Sequence, residues 1–125
     1  MRLTKNFSLE EFACNDGSET PQEIIYSLQK LANQLQVLRN YVGKPITINS
    51  GYRSPEYNAS IGGVINSQHI LGRAADIVVD GLTPKQVSDI IEDLICRGDM
   101  LQGGLGTYST FTHYDIGYNG KKRRW

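Results

Sequence analysis

Cysteine is scarce in this sequence, and histidine is equally so. The 125 residues include two cysteines and two histidines. Cys14 and Cys96 lie far apart, which argues against a disulfide framework, and neither has the nearby partner that a thiolate zinc site needs. Cys96 belongs to the apolar face of a predicted helix, so we expect it to be buried as a small hydrophobic residue. The cysteines therefore point neither to a disulfide-linked scaffold nor to a thiolate metal site.

The chain also lacks net charge and long apolar runs. Thirteen Lys and Arg balance thirteen Asp and Glu, so nothing directs the whole molecule to nucleic acid or to an anionic membrane. No apolar stretch approaches the roughly 20 residues of a membrane-spanning helix, and the N-terminal segment MRLTKNFSLEEF lacks the apolar core of a signal peptide. At 14.0 kDa the chain fits one domain. We expect a monomer without nucleic acid partners or a membrane span.

Prolines are few, and two of the four stand at predicted helix starts. Thr20 and Thr83 each cap a helix whose first residue is the proline that follows. Apolar residues then recur at steps of three and four, which predicts one helix ending near Gly43 and another ending at Gly98. Alternating or apolar runs predict about four strands, with those late in the chain antiparallel. The sequence thus predicts an α+β fold in which a small antiparallel sheet is flanked by two main helices.

His69, Asp76 and His113 are residue types that together bind zinc. A catalytic zinc site typically has three protein ligands from histidine, aspartate or glutamate and leaves the fourth position to water. Between His69 and Asp76 lie Gly72, which permits a tight turn or a positive φ, and two alanines that add little bulk. His113 would come from a neighbouring strand, and Asp115, two residues on, would project to the same face. The spacing therefore predicts a site with two imidazoles and one carboxylate.

A structural role is the alternative for each of these residues. A single histidine near a strand end is more often structural than a ligand. As structural residues, Asp76 would cap a turn and Asp115 would be a surface charge. The complete pattern H-x-x-G-x-A-x-D, however, arises by chance in about one chain in a thousand of this length. The pattern as a whole favours a metal site.

The segment SQHILGRAAD resembles the S-x-H-x-x-G-x-A-x-D motif of the zinc D-alanyl-D-alanine carboxypeptidase family, whose fold is shared by the Hedgehog signalling domain. INSGYRSPEYN and GGLGTYSTFTHYDIG resemble two further motifs, and the similarity to the small single-domain branch covers nearly the whole chain. The resemblance implies one zinc peptidase-like domain over residues 1–125, with one zinc ion per chain held by His69, Asp76 and His113. It implies bacterial stem peptides as substrates, cleaved at the terminal D-alanine or at an internal cross-link.

Three residues near the motifs are candidates for substrate binding. Arg53 and Ser67 take the places of the family's arginine and serine, and Gln68 directly precedes the first histidine. The planar fork of Arg53 suits a substrate carboxylate or carbonyl, and its alternative role is an ion pair with Asp76 or Glu56. Ser67 and Gln68 would hydrogen-bond the substrate backbone or, equally, satisfy their own loop. We expect the loop that carries Arg53 to be exposed to solvent.

One residue of the family pattern is missing. Many members have a catalytic Asp or Glu three residues before the last histidine, where this chain has Thr110, which cannot act as a general base. Members of the small-domain branch also lack that acid. Asp115 is then the candidate catalytic residue, as the general base that accepts a proton. Its alternative role, given equal weight, is to hold a ligating imidazole in one tautomer.

Several aromatic and basic residues near the motifs have no predicted catalytic role. Tyr52 and Tyr108 each flank a motif and are expected to line the cleft. The basic run at 121–124 is interpreted as a solvated chain end that would add salt-sensitive affinity for a polyanionic cell wall. Trp125 is expected to pack back on the domain.

These features predict a zinc metallopeptidase that acts on peptidoglycan stem peptides, as a carboxypeptidase or an endopeptidase. Since no export signal is recognised, such an enzyme would stay in the cytoplasm until lysis, travel with a virion or be part of a longer protein, and a phage or prophage lysis enzyme fits best. The competing hypothesis is a catalytically silent, zinc-stabilised module that binds peptidoglycan peptides. Thr110 favours that hypothesis, whereas Arg53 and Asp115 disfavour it. A metal-free structural domain would require all three ligands to be coincidental.

Overall fold

The α+β fold predicted from the sequence is confirmed, with one five-stranded sheet and three helices. The computed structural model describes all residues, 1–125. The helices are α1 (Gln22–Val42), α2 (Pro55–Ser60) and α3 (Pro84–Cys96), and a 3₁₀ helix (Leu9–Phe12) precedes them. The strands are β1 (Ile46–Ser50), β2 (Ala74–Val79), β3 (Gly104–Thr107), β4 (Thr112–Asp115) and β5 (Arg123–Arg124). No helix is both long enough and apolar enough to cross a membrane.

Local signals at the helix ends account for most of the helix boundaries. The side chain of Thr83 accepts a hydrogen bond from the backbone N–H of Gln86, 3.1 Å away, as predicted for the cap of α3. Helix α1 ends at Gly43, whose φ of +64° suits a residue without a Cβ. The predicted cap at Thr20 is wrong, because Pro21 occupies the N-cap position of α1 and no side chain caps it.

The sheet brings strands from both halves of the sequence together in the order β1-β2-β4-β3-β5. The pairs β1–β2, β2–β4 and β3–β4 are antiparallel. The short strand β5, which has no apolar periodicity and was not predicted, pairs parallel with β3. In the β2–β4 pair Asp76 lies directly opposite His113. The register of these two central strands therefore places a carboxylate beside an imidazole.

The hydrophobic core contains the apolar stripe of α1 and the buried faces of α3 and the sheet. Leu28 and Leu35 are fully buried, as the periodicity predicts. Two expectations about burial are wrong. Tyr52 lies in this core rather than in a cleft wall, and Cys96, the last residue of α3, is exposed.

Candidate metal centre

The three predicted ligands meet at the centre of the sheet. Asp76 lies on β2, His113 lies opposite it on β4, and His69 belongs to the turn that leads into β2. The Oδ1 atom of Asp76 is 3.3 Å from Nε2 of His69 and 3.0 Å from Nδ1 of His113. All three side chains are buried, and their candidate ligand atoms lie within 4.8 Å of one another. This separation is close enough for one ion to contact all three.

Gly72 explains how the turn before β2 reaches this position. Its φ is +68°, and a Cβ on this residue would lie 2.6 Å from Cγ2 of Ile24 on α1. Both facts require glycine, since a side chain would be strained in the left-handed region and would collide with the helix. The turn therefore packs directly on α1, and His69 points back towards the sheet.

The hydrogen bond of His69 fixes which of its nitrogens is free. Nδ1 lies 2.7 Å from the carbonyl oxygen of Gly51. Because a carbonyl only accepts, Nδ1 carries the proton and Nε2 presents a lone pair to Asp76. Gly51 is required here too, since a Cβ would lie 2.7 Å from Cα of Phe12. The backbone thus sets the tautomer that a metal ligand needs.

Asp115 fixes the tautomer of the second imidazole in the same way. Its Oδ2 atom is 2.7 Å from Nε2 of His113, so that nitrogen donates and Nδ1 faces Asp76. When both imidazoles are neutral, two nitrogen lone pairs and one carboxylate oxygen converge on one buried point without a donor between them. Such an arrangement is unfavourable unless a proton or a cation lies there. Two imidazoles and one carboxylate suit zinc, so the residues present fit this metal.

The buried charges shift the ionisation of both acidic and basic groups. Burial raises the pKa of Asp76, but the adjoining imidazoles of His113 and His69 lower it by more, so its pKa lies well below the usual range. Burial lowers the pKa of His113, but Asp115 and Asp76 raise it by more, so its pKa lies above the ordinary value. A second proton on the ring of His113, at Nδ1, would therefore lie at the point where the lone pairs converge. This proton would compete with a metal ion for the site.

Metal affinity should consequently fall in acid. The ordinary histidine pKa is about 6.5, and that of His113 is raised. As pH falls through this raised value, the zinc affinity should drop by up to about tenfold per pH unit, one proton being displaced for each ion bound. In the metal-free protein the raised pKa of His113 stabilises the folded state below about pH 6.5. This contribution is lost as the pH rises through the pKa of His113 in the folded state. Competition with a chromophoric chelator between pH 5.5 and 8 measures the affinity, and a flat profile would contradict this prediction.

Both carboxylate oxygens of Asp115 are occupied. Oδ2 contacts His113, while Oδ1 accepts hydrogen bonds from the backbone N–H of Gly104, at 3.0 Å, and from the guanidinium of Arg123. The side chain is 0% exposed. Burial raises the pKa of Asp115, but His113 and Arg123 lower it by more, so it stays ionised. This geometry favours the second of the two predicted roles, the support of an imidazole in one tautomer.

Arg53 supports the carboxylate ligand. Its Nη2 atom is 3.3 Å from Oδ2 of Asp76, the oxygen that does not face the histidines, and the side chain is 15% exposed. Nε donates to Ser50 and Nη1 to Asn58. The expected solvent exposure of the loop that carries Arg53 is wrong, since its neighbours Tyr52 and Ser54 are buried. The ion pair with Asp76 is the one predicted as the alternative role of Arg53. A guanidinium has five N–H donors, so two remain for a ligand in the cleft that Arg53 lines.

The two polar residues before His69 differ in their surroundings. The hydroxyl of Ser67 accepts a hydrogen bond from the backbone N–H of His69, 3.2 Å away, and so stabilises its own turn. Gln68 is buried at the cleft, and its Oε1 has no hydrogen-bond partner. An unsatisfied buried oxygen costs roughly 1–3 kcal/mol. Gln68 therefore has unused hydrogen-bonding capacity beside the metal centre, whereas Ser67 does not depend on a ligand.

The metal centre lies in a cleft of about 320 Å³ whose lining includes Tyr108, as predicted, together with Phe111, Arg123 and Trp125. Sequence reasoning missed Arg123. The basic run was interpreted as solvated, but only Lys121 and Lys122 are exposed. Arg123 pairs with Asp115, and Arg124 donates to both oxygens of Glu92 on α3. No local signal distinguishes these two arginines from the lysines before them, because their partners come from distant parts of the chain.

Comparisons with known proteins find matches to both the sequence and the fold of this chain. A model of the Peptidase M15 family matches residues 5–115. The zinc D-Ala-D-Ala carboxypeptidase of Streptomyces albus G is 49% identical over 45 residues, which are 35% of this chain and 18% of that protein. The chain thus spans under a fifth of that relative. The crystal structure of the Serratia marcescens L-Ala D-Glu endopeptidase ChiX matches with a TM-score of 0.51 and 18% identity, over 85% of this chain and 96% of that one, and shows the same fold. With the fold, the three converging side chains and the family match together, this chain belongs to the peptidase M15 family.

Proposed function

We propose that this protein is a zinc-dependent peptidase that hydrolyses peptide bonds in bacterial peptidoglycan, as a carboxypeptidase or an endopeptidase. The observation that carries the proposal is the convergence of His69, Asp76 and His113 on one buried point with their lone pairs unshared. Membership of the M15 family supports the reaction class. The activity that names the Streptomyces relative supports stem peptides as the substrate.

In this proposal one zinc ion is held by Nε2 of His69, Oδ1 of Asp76 and Nδ1 of His113. A bound zinc ion supplies Lewis acidity, which polarises a carbonyl and lowers the pKa of water. Gly51 and Asp115 keep the ligating nitrogens deprotonated by holding the proton on the opposite nitrogen of each ring. The protein's own contribution is therefore a set of ligands that is orientated before the metal binds.

Arg53 has two roles in this proposal. It holds Oδ2 of Asp76, which leaves Oδ1 for the metal, and its two free N–H groups bind a carbonyl or carboxylate of the substrate. Gln68 binds the substrate backbone through its Oε1 atom, which has no hydrogen-bond partner in the protein. Both residues line the cleft that contains the metal centre.

Arg53→Lys should lower kcat/KM by about 10- to 100-fold. The ammonium keeps the charge but cannot reproduce the fork of donors, and hydrogen bonds between charged groups contribute about 1.5–3 kcal/mol. The unfolding temperature should fall as well, because the guanidinium is largely buried. Arg73→Lys is the matched control, since Arg73 is also partly buried but stacks on Tyr118 outside the cleft. Unchanged kcat/KM on stem peptides in Arg53→Lys would remove this residue from the site.

The identity of the proton acceptor distinguishes this proposal from its main competitor. Asp76 and Asp115 are the two carboxylates of the cleft, and both are engaged by other side chains. Thr110 lies exposed in the turn before β4 and offers no acid. This lack of a free carboxylate favours the competing function, a zinc-stabilised module that binds peptidoglycan peptides without cleaving them. Peptide binding with zinc present and no turnover would support that module.

Digestion of purified peptidoglycan tests the proposed function. Zinc-loaded protein should release fragments that mass spectrometry identifies, and a chelator should stop their release. Loss of a single alanine residue from stem peptides would identify a carboxypeptidase, whereas separated peptide chains would identify an endopeptidase. The absence of any fragment from several peptidoglycan types would contradict both.

We propose that residues 1–125 form one zinc peptidase-like domain, and unfolding in a single transition that zinc shifts upwards would support this. A role as a phage or prophage lysis enzyme is proposed as the setting of the activity. A fall in turbidity of permeabilised bacteria, abolished by a chelator, would support the lytic role.

A further inference from the structure

Trp125 occupies a position beside the metal centre that its place in the chain does not predict. Its ring centroid lies 5.0 Å from that of His113, and the indole lines the same cleft. A Cβ on Gly106, which faces His113 across β3 and β4, would collide with Nε1 of the indole and lie 2.5 Å from Cε2. The glycine in the middle of β3 therefore provides the space in which the indole lies.

The indole is held in place on several sides. Its Nε1 donates to the hydroxyl of Tyr108 at 2.6 Å, and the ring of Tyr108 stacks on Phe111 with centroids 4.4 Å apart. The backbone of Trp125 pairs with β3 through hydrogen bonds to Leu105 and Thr107. We call Tyr108, Phe111 and Trp125 the aromatic wall. Its position is fixed by polar and backbone contacts rather than by burial.

Exposure separates the aromatic wall from the aromatic residues of the core. Trp125 is 49% exposed and Tyr108 is 42% exposed, whereas Tyr114 on β4 is fully buried. A tryptophan needed only for folding would gain most by burying its surface. Here an ordered apolar surface is left open beside a polar cleft floor, which is the usual composition of a ligand site.

We propose that the aromatic wall binds the aliphatic side chain of the substrate residue next to the metal centre. This inference rests on the proposed function and adds a residue that determines specificity. The polar groups of a bound peptide face Arg53 and Gln68 on the cleft floor. Its aliphatic groups pack on the indole of Trp125. The ligand class is therefore a peptide with an alkyl side chain beside the scissile bond.

The protein's own fluorescence reports on this contact, because Trp125 is the single tryptophan of the chain. Zinc-loaded protein is mixed in a stopped-flow instrument with a synthetic stem peptide that ends in D-Ala-D-Ala, and emission is recorded before turnover. A saturable change is expected, with a midpoint that matches the Kd from calorimetry. Binding detected by calorimetry without any change in Trp125 emission would overturn the proposal.

Variants separate a binding role from a structural one. Trp125→Ala should raise KM by roughly 10-fold, as expected for the loss of one aromatic contact, with zinc content unchanged. Trp125→Phe keeps an aromatic surface and should restore KM to within about threefold of the parent. Tyr41→Ala is the matched control, because Tyr41 is 52% exposed on α1 and does not line the cleft. An unchanged KM in Trp125→Ala would overturn the proposal.

Gly106→Ala tests the same wall without removing the indole. The added methyl group displaces the ring, so this variant should raise KM as Trp125→Ala does, and the double variant should be no worse than either. Additive effects would overturn the link between Gly106 and the wall. These experiments distinguish an error in the proposed role of the aromatic wall from an error in the proposed function. A peptide that binds and changes the emission of Trp125 but is not cleaved would support the role of the aromatic wall and contradict the proposed hydrolysis. Cleavage without a change in Trp125 emission, and with an unaltered KM in Trp125→Ala, would support hydrolysis and contradict the role of the wall.

Discussion

Replacing either His69 or His113 with alanine should remove zinc from the protein and abolish hydrolysis. Each variant deletes one of three ligating atoms, and because the chain has no other histidine, no imidazole is available to take its place. The loss in zinc affinity should exceed the roughly 100-fold that loss of an outer partner of a ligand costs. Elemental analysis of protein purified without added metal should find close to one zinc per chain in the parent and far less in the variants.

Thr110→Ala is the control for this experiment. It removes an exposed hydroxyl from the turn before β4 and should leave both zinc content and kcat/KM unchanged. Circular dichroism establishes that the histidine variants are folded, so that a loss of metal cannot be ascribed to unfolding. Full zinc occupancy in folded His69→Ala or His113→Ala would show that the ligands have been wrongly assigned.

Asp115→Asn should weaken zinc binding by about 10- to 100-fold. The amide keeps the shape of the carboxylate, but it lacks the charge that holds a proton on Nε2 of His113 and that balances Arg123. The ring of His113 then loses its preference for the tautomer in which Nδ1 is free. Titration with a competing chelator measures the affinity, and saturation with zinc should restore most of the turnover.

The alternative role of Asp115 makes a different prediction for the same variant. A general base lost from the site should lower kcat by about 10²–10⁴-fold with zinc content intact. Measuring both quantities on one protein therefore separates the two roles. Arg123→Lys is the companion variant, since Arg123 contacts Asp115 from the side away from His113 and should show a weaker form of the same metal defect. Full activity together with full zinc in Asp115→Asn would exclude both roles.

Local patterns in the sequence are sufficient for the fold class, the main helices and the candidate ligands. The cap at Thr83 and the apolar steps of α1 act over a few residues, where the chain's own geometry decides the outcome. The interval between His69 and Asp76 is equally local. Gly72 is required because the turn passes close to Ile24 on α1. Local sequence patterns therefore predict both the α+β architecture and the three side chains that converge.

The surroundings of those ligands depend on contacts between distant parts of the chain. Strand β5 has two residues and no periodicity, and it exists because β3 offers an unpaired edge and Glu92 offers a partner for Arg124. The engagement of both oxygens of Asp115 depends on Gly104, where a Cβ would lie 2.8 Å from the carboxyl carbon. The position of Trp125 likewise depends on the space over Gly106. These contacts join residues that are distant in the sequence, and their energies arise only when the sheet has formed, so no spacing along the chain encodes them.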